Sequence, residues 1–397
     1  MKKRIDRSPG AFLEYRTSPE PLTREAMARR LEPVAASQVM ERFHMKDREI
    51  TQRDEAYAQD AYLQWWYFDA IFEDGHRLLT FVLPRSTGSM EQHPPDQPFL
   101  DIVLKPPSGD IIREGRSFSP REFSPRKGVF GASLGADCSV EFEEGRGSNR
   151  LGRYLLKARA GRLAYDLKLL PKLPPWSPNG PSGLLSRPAI MLARHSLFTK
   201  DYFHYAAFVP RGRLEGQIKV DGKPFNVRGS GYHEQGRNSF PLREFAKAWY
   251  WLHIEQPPWT ILSGTVVPLH AFPRSRARAQ GGFAFVQKGD QRLMGTADPF
   301  GVAVRWTRLV HRSARVGSEG SLAWEAGVRC FRPGLMVKAD VDSREVLEHV
   351  HFHDSEKTRV PSHWSQTIAS ARVKILHGIR RVEFDAECVL ETMVTGA

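Results

Sequence analysis

Three short stretches of this chain gather side chains suited to proton transfer. Residues 229–238 read GSGYHEQGRN, so Tyr232, His233, Glu234, Gln235, Arg237 and Asn238 crowd around small turn residues. General acid–base chemistry needs that density of titratable and hydrogen-bonding groups, and a polar surface turn with a structural network shows it too. Residues 64–69 read QWWYFD. On a strand, Trp65, Tyr67 and Asp69 share one face, and Trp66 and Phe68 the other. Aromatics on both faces mean that both are covered, one by core and the other by core or a ligand. An acid among aromatics must be paired, hydrated or protonated, which marks Asp69. Residues 248–254 read AWYWLHI, with Trp249, Trp251 and His253 on one strand face. Such a wall suits an apolar ligand or a developing carbocation, and core packing accounts equally for one or two of the three.

Other patterns carry less. Residues 131–135 match GxSxG but lack the helix that a nucleophile elbow needs. His351 and His353 lie on one strand face without a third ligand, so no metal is expected. Cys138, Cys330 and Cys388 are widely spaced and form no CxxC pair, which reads as reduced, buried thiols. The sequence holds no Walker A or dinucleotide fingerprint. Basic clusters at 274–278 and 305–315 come without a nucleic-acid-binding motif and read as solvated faces, so no specific nucleic-acid partner is expected.

The elements that must position these residues are mostly strands. Leu163, Tyr165, Leu167 and Leu169 alternate with polar or small residues, as do Leu335, Val337, Ala339 and Val341. The same period of two runs through 214–220 and 382–387. Turn signals at 73–75, 107–110, 220–224 and 287–290 punctuate these runs, which predicts antiparallel barrels or sandwiches. The proline-rich stretch 171–188 reads as a long loop, in which Trp176 would be wasteful if solvated. Residues 1–50 differ: they are basic, with Met27, Leu31 and Val34 at helical spacing, and predict a short helical extension. The expected division is an N-terminal extension over 1–50 and β domains over 51–212 and 213–397.

With 397 residues, 41% hydrophobic and 26% charged, the composition is that of a globular protein. The first residues, MKKRIDRSPGAFLEYR, lack the apolar stretch of a signal peptide, which predicts a cytoplasmic location. The net charge of +13 suits peripheral contact with an anionic membrane.

Taken in order, the motifs resemble a known group. The segment 64–70 resembles the WWY strand motif of the carotenoid 1,2-hydratase (hydroxyneurosporene synthase) family and its lipocalin-like relatives, which include fungal Diels–Alderases and, more distantly, tocopherol cyclases. The segment 229–242 is similar to that group's GxGYHDHNWGxxPL element, and 245–254 to the aromatic strand that follows it. Segments 173–185 and 209–223 also look like parts of the family, so the resemblance spans roughly 55–395.

The resemblance implies two consecutive lipocalin-like β domains whose shared cavity takes a lipophilic isoprenoid, polyene or polyketide-like substrate without metal or redox cofactor. In the hydratases, protonation of an isolated double bond gives a tertiary cation that water captures. The matching positions are Tyr232, His233, Glu234 and Asn238, with Trp249 and Trp251 on the next strand. This chain departs from the pattern at Gln235, Gly236 and Arg237, and residues 261–264 lack the hydratases' Tyr-Asp pair. Glu234 is therefore the expected proton donor, with its pKa raised by an apolar site and Arg237 turned away from it. His233 and Tyr232 would orient it or relay the proton, and Asp69 is the next candidate acid. Trp65, Trp66, Tyr67, Trp176, Asn238, Trp249 and Trp251 are the expected substrate contacts. A pericyclase that only folds its substrate, and a non-catalytic carrier of a lipophilic molecule, remain as alternatives.

Overall fold

The computed structural model describes residues 63–84, 97–125, 131–145, 151–178, 203–238, 246–268, 278–313, 319–352 and 362–395. The expected N-terminal helix and His353 lie outside them, as do the side chains of Arg237 and His351. The described chain is nearly all antiparallel strand, in two sheets.

The first sheet contains β1 (Leu63–Phe72), β2 (Arg77–Leu83), β3 (Phe99–Lys105), β4 (Ile112–Ser117), β5 (Phe123–Pro125), β6 (Ala132–Leu134), β7 (Cys138–Glu143), β8 (Arg153–Ala160), β9 (Leu163–Pro171), β10 (Phe203–Val220) and β11 (Lys223–Asn238). Their order is β4-β3-β2-β1-β11-β10-β9-β8-β7-β6-β5, a meander closed in its middle by pairing of β1 with β11. The second sheet contains β12 (Ala246–Gln256), β13 (Trp259–Pro268), β14 (Arg278–Lys288), β15 (Gln291–Ser313), β16 (Glu319–Arg332), β17 (Leu335–Phe352), β18 (Ser362–His377) and β19 (Arg380–Thr395). It is an up-and-down barrel closed by β12 against β19.

Strand parity decides what each sheet buries. On β9, Leu163, Tyr165, Leu167 and Leu169 are buried while Asp166 faces water. On β17, Leu335, Val337, Ala339 and Val341 are buried and Met336 and Asp340 exposed. The concave face of the first sheet holds Trp66, Phe68, Leu156, Leu169 and Phe208. The barrel interior is filled by side chains such as Leu252, Ile254, Val286, Val328 and Val373. A third apolar cluster lies between the sheets and draws on both: Tyr67, Tyr205 and Tyr232 come from the first, Trp251, Phe285 and Val389 from the barrel.

The expected boundary at 212/213 is corrected by the pairing. It falls inside β10, whose residues on both sides of it pair with β11. Near it the β10–β11 register shifts between Val209 and Gly212, an irregularity within one continuous strand. The change from one sheet to the other comes between Asn238 and Ala246. The GxSxG stretch is the short strand β6 and its flanking turn, paired on both sides.

Candidate active site between the sheets

The β1–β11 register aligns Tyr67 with Glu234 and Asp69 with Tyr232. These residues, together with Trp65, project from the first sheet toward the outer face of the barrel. There β12 presents Trp249, Trp251 and His253 by the same alternation. Glu234 sits at the centre, 7% exposed. The Trp65 Nε1–H donates to its Oε1 at 3.0 Å, and the Tyr232 hydroxyl donates to its Oε2 at 2.6 Å. Tyr205 and Tyr232 join their hydroxyls at 2.6 Å, and the Trp251 Nε1–H donates to Tyr205 Oη at 3.0 Å. A chain of donors thus runs from the barrel through two tyrosines to one carboxylate.

That chain suits the ionised acid, because every donor is spent on an acceptor. A protonated Glu234 cannot place its hydrogen on Tyr232 without reversing both tyrosine hydroxyls. Burial raises the Glu234 pKa to about 7, against the hydrogen bonds of Tyr232 and Trp65, which favour the charged form, and with the help of nearby Glu391. Both protonation states are therefore accessible near neutrality.

Gly236 explains how Trp65 reaches the acid. The two are cross-strand partners, and a Cβ at 236 would collide with the Trp65 ring. The departure from the family-like pattern at this position clears the space in which the indole lies.

A second group stands beside the first. Asp69 Oδ2 is 3.3 Å from His253 Nδ1, and both side chains are buried. Burial works against a charged imidazole here, but Asp69 outweighs it and holds the His253 pKa above its ordinary value. The His253 ring lies 4.5 Å from that of Tyr232, and its Nε2 is buried with no hydrogen-bond partner among the described residues. A recess between the sheets is lined in part by Asp69, Arg77, Leu79, Leu347, Ile368 and Val389.

More acids surround these. Glu391 on β19 accepts from Trp249 Nε1 at 2.9 Å and from Gln366 Nε2 at 3.0 Å, and burial raises its pKa. Arg113 bridges Asp101 at 3.0 Å and Glu348 at 2.5 Å across the two sheets. Burial and the neighbouring Asp101 push Glu348 well above the usual carboxylate range, against the pull of Arg113.

Two expected site residues lie elsewhere. His233 alternates with Tyr232 and Glu234, so its ring points into the concave core of the first sheet. It stacks on Phe68 at 4.0 Å, and its Nδ1 is 3.0 Å from the Tyr67 carbonyl oxygen. Burial lowers its pKa to about 3, leaving a neutral ring that neither orients Glu234 nor passes it a proton. Trp66 faces the same core, 6.5 Å from Phe123, and not the layer that holds Glu234. Trp65, Tyr67, Trp249 and Trp251 do meet around the acids. Trp176 bridges to Ala207 through its backbone and packs its ring 5.2 Å from Phe285 of the barrel. Asn238 is buried at the end of β11, on the Glu234 face by parity.

Sequence reasoning missed Tyr205, Glu391, Glu348 and the Asp101–Arg113 pair, and left His253 without a role. Asp101 and Glu391 had a readable signal, each being an acid within an apolar strand (FLDIVL, CVLETMV).

Comparison with solved structures places the fold. An AttH-type protein from Nitrosomonas europaea superposes with a TM-score of 0.52 at 14% identity, covering 84% of this chain and 93% of that one. CghA in complex with Sch210972 gives 0.56 at 12% identity, covering 84% and 89%. Kievitone hydratase from Nectria haematococca gives 0.50 at 9% identity, with the same coverage. The chain has their lipocalin-like fold. No family model and no curated protein sequence matches it. The likeness is thus one of architecture, and the chemistry of the layer between the sheets has to be read from its own residues.

Proposed function

We propose that this chain is an enzyme that adds a proton to an isolated double bond of an apolar, isoprenoid- or polyene-type substrate, initiating hydration or cyclisation. The observation that carries the proposal is Glu234: a buried carboxyl with a pKa of about 7, set in an aromatic layer between two sheets. A general acid works best when its pKa lies near the working pH. With Tyr232 donating to the carboxyl, the hydrogen of the protonated acid is not taken up by Tyr232 and is free to meet a substrate π bond.

The step balances simply. The Glu234 O–H bond breaks, a C–H bond forms, and a tertiary cation is left beside a carboxylate. The donors of Trp65 and Tyr232 hold that carboxylate, and the π faces of Trp65, Tyr67 and Trp251 shield the cation. In hydration, water then forms the C–O bond and releases a proton, which the neutral form of His253, oriented by Asp69, can accept at its unpartnered Nε2. In cyclisation, an internal double bond takes the place of water. Neither course changes the oxidation state overall, so neither calls for a redox cofactor. The fold likeness to kievitone hydratase supports the hydration form.

A second reading rests on the same carboxylate. Both Glu234 oxygens already accept hydrogen bonds, which suits a fixed electrostatic wall for a pericyclic reaction in which no proton is transferred.

Turnover in deuterium oxide separates the two. Apolar metabolites that co-purify with the protein, identified by mass spectrometry, supply the substrate panel. Acid initiation places one solvent deuterium on carbon in the product, and Glu234→Gln abolishes it. Product formed without carbon-bound deuterium, at a rate unchanged by Glu234→Gln, sinks the acid mechanism and leaves the pericyclase. Binding without any product leaves the carrier.

A further inference from the structure

Among the described residues, the large apolar side chains that stand exposed are Phe331 (57%), Met336 (40%), Leu376 (40%) and Ile379 (fully exposed). All four lie at one end of the barrel, on the adjacent hairpins β16–β17 and β18–β19. Their placement is ordered. The register pairs Phe331 with Met336, Met336 with Leu376, and Leu376 with Arg381, so three apolar side chains form one row across the outer face. Ile379 stands beyond this row at a hairpin tip, next to Gly378, whose φ of +60° makes the tight turn.

Two residues further from the tips, the same face carries a basic row. Arg329 pairs with Lys338, Lys338 with Lys374, and Lys374 with Glu383. The third row, Gly327, Asp340, Arg372 and Asp385, is the first with two acids, and one of them pairs with Arg372 at 3.4 Å. Over 329–338 and 374–383 the count is six basic residues (Arg329, Arg332, Lys338, Lys374, Arg380, Arg381) against one acid (Glu383), a net of +5 with His377 neutral. Lys338 pairs with Asp340 at 2.7 Å, and Lys374 and Arg381 share Glu383, whereas Arg329 and Arg380 make no ion pair with the described residues.

We propose that this end of the barrel docks on an anionic lipid bilayer, with Phe331, Met336, Leu376 and Ile379 in the interface and the basic row at headgroup level. An apolar tip backed by lysine and arginine matches the two layers of a membrane surface, acyl chains below and anionic headgroups above. Lysine and arginine stems also reach past apolar surface to place their charges at the headgroups. A second copy of the chain is the poorer occupant, since a twofold contact would bring +5 against +5. The inference goes beyond the reading of Glu234 and stands apart from it, because no residue of the patch belongs to the site.

Co-sedimentation with vesicles tests it, using phosphatidylcholine alone and phosphatidylcholine with about a third phosphatidylserine. The full chain is expected to bind the mixed vesicles and to lose binding as salt rises. The double variant Phe331→Ser/Ile379→Ser should weaken binding at least about tenfold, since two exposed side chains no longer enter the interface. Arg329→Gln/Lys338→Gln/Lys374→Gln should also weaken it at least about tenfold, and should flatten the salt dependence. Unchanged melting temperatures would show that both variants fold. Wild-type protein left in the supernatant with both vesicle types overturns the proposal. So does a double variant that binds like wild type, which assigns the contact to another surface. A dimer on gel filtration that the double variant dissociates, without vesicle binding, assigns the patch to a second copy and overturns it as well.

Discussion

The inside and the outside of the barrel wall are built from the same strand. On β12, Leu252 and Ile254 point inward to a core of valine, alanine, isoleucine and leucine, in which Tyr250 and Ser263 bond to one another at 2.6 Å. The intervening Trp249, Trp251 and His253 point outward, where they meet Glu391, Tyr205 and Asp69 from other strands. One side is mostly apolar packing around that hydroxyl pair. The other holds Glu234, Glu348 and Glu391, whose carboxyls burial makes costly to ionise. A lipocalin-like barrel is usually read for a ligand inside it. Here the described interior of the barrel is packed with its own side chains, and the groups with shifted protonation lie between barrel and sheet. Stability and chemistry are separated by strand parity.

Substitutions on the two sides should behave differently, and the largest difference is expected at Glu234. Glu234→Gln keeps the shape and removes the acid, so turnover should fall by about 10²–10⁴-fold. The wild-type rate should decline as pH rises through about 7, because only protonated Glu234 donates. A pH–rate profile checks this, and retained turnover with unchanged pH dependence would move the donor to Asp69. Inside the barrel, Leu252→Ala leaves a cavity at a fully buried position and should cost about 2–5 kcal/mol in denaturant unfolding. That loss should be the same at every pH, with activity per folded molecule preserved.

The third comparison concerns stability against pH. The folded state holds the Glu234 proton more tightly than the unfolded chain does, with a pKa of about 7 against a model value of 4.5. Its contribution is therefore fully present below about pH 4.5 and is lost as pH rises toward 7. Glu234→Gln should accordingly match wild type near pH 4 and exceed it at pH 8, by about 1–3 kcal/mol. An acid whose removal stabilises the fold while abolishing turnover would mark the layer as functional. Equal stabilities at both pH values would break the contrast with Leu252.

The smallest effect separates two neighbours in sequence. Trp65→Phe removes a donor to the Glu234 carboxylate, and the upper limb of the pH–rate profile should move up by about half a unit to one unit. Trp66→Phe lies on the far face and should lower stability by about 1 kcal/mol without moving the profile.

Much of this was legible in the chain. Alternation of period two gave the strands, the aromatics of QWWYFD pointed to a strand covered on both faces, and those of AWYWLH to an aromatic wall on one face. Parity alone also separates Glu234 from His233, which the family-like motif sets side by side but the strand turns to opposite faces. The expected boundary fell inside β10 because alternation of period two runs on both sides of it and does not say which strands share a sheet. Other partners were out of reach. Arg113 and Glu348 are 235 residues apart, and no local pattern says that a surface-like arginine on one sheet will neutralise a buried acid on the other. The Trp251–Tyr205–Tyr232 chain likewise depends on how two sheets dock, which strand periodicity does not encode.

The hydrogen-bonded chain has one more consequence, for how such a protein changes over time or under engineering. Glu234 and Asp69 belong to the first sheet, whereas Trp251 and His253 belong to the barrel. The two sheets are joined between residues 238 and 246, which invites treating them as interchangeable modules. They are not. A chimera that takes its barrel from a relative inherits an acid without the indole that ends its proton chain, and a carboxylate without the imidazole it orients. Each half can be exchanged only along with the side chains it lends to the other, so the unit of inheritance for this site is the seam.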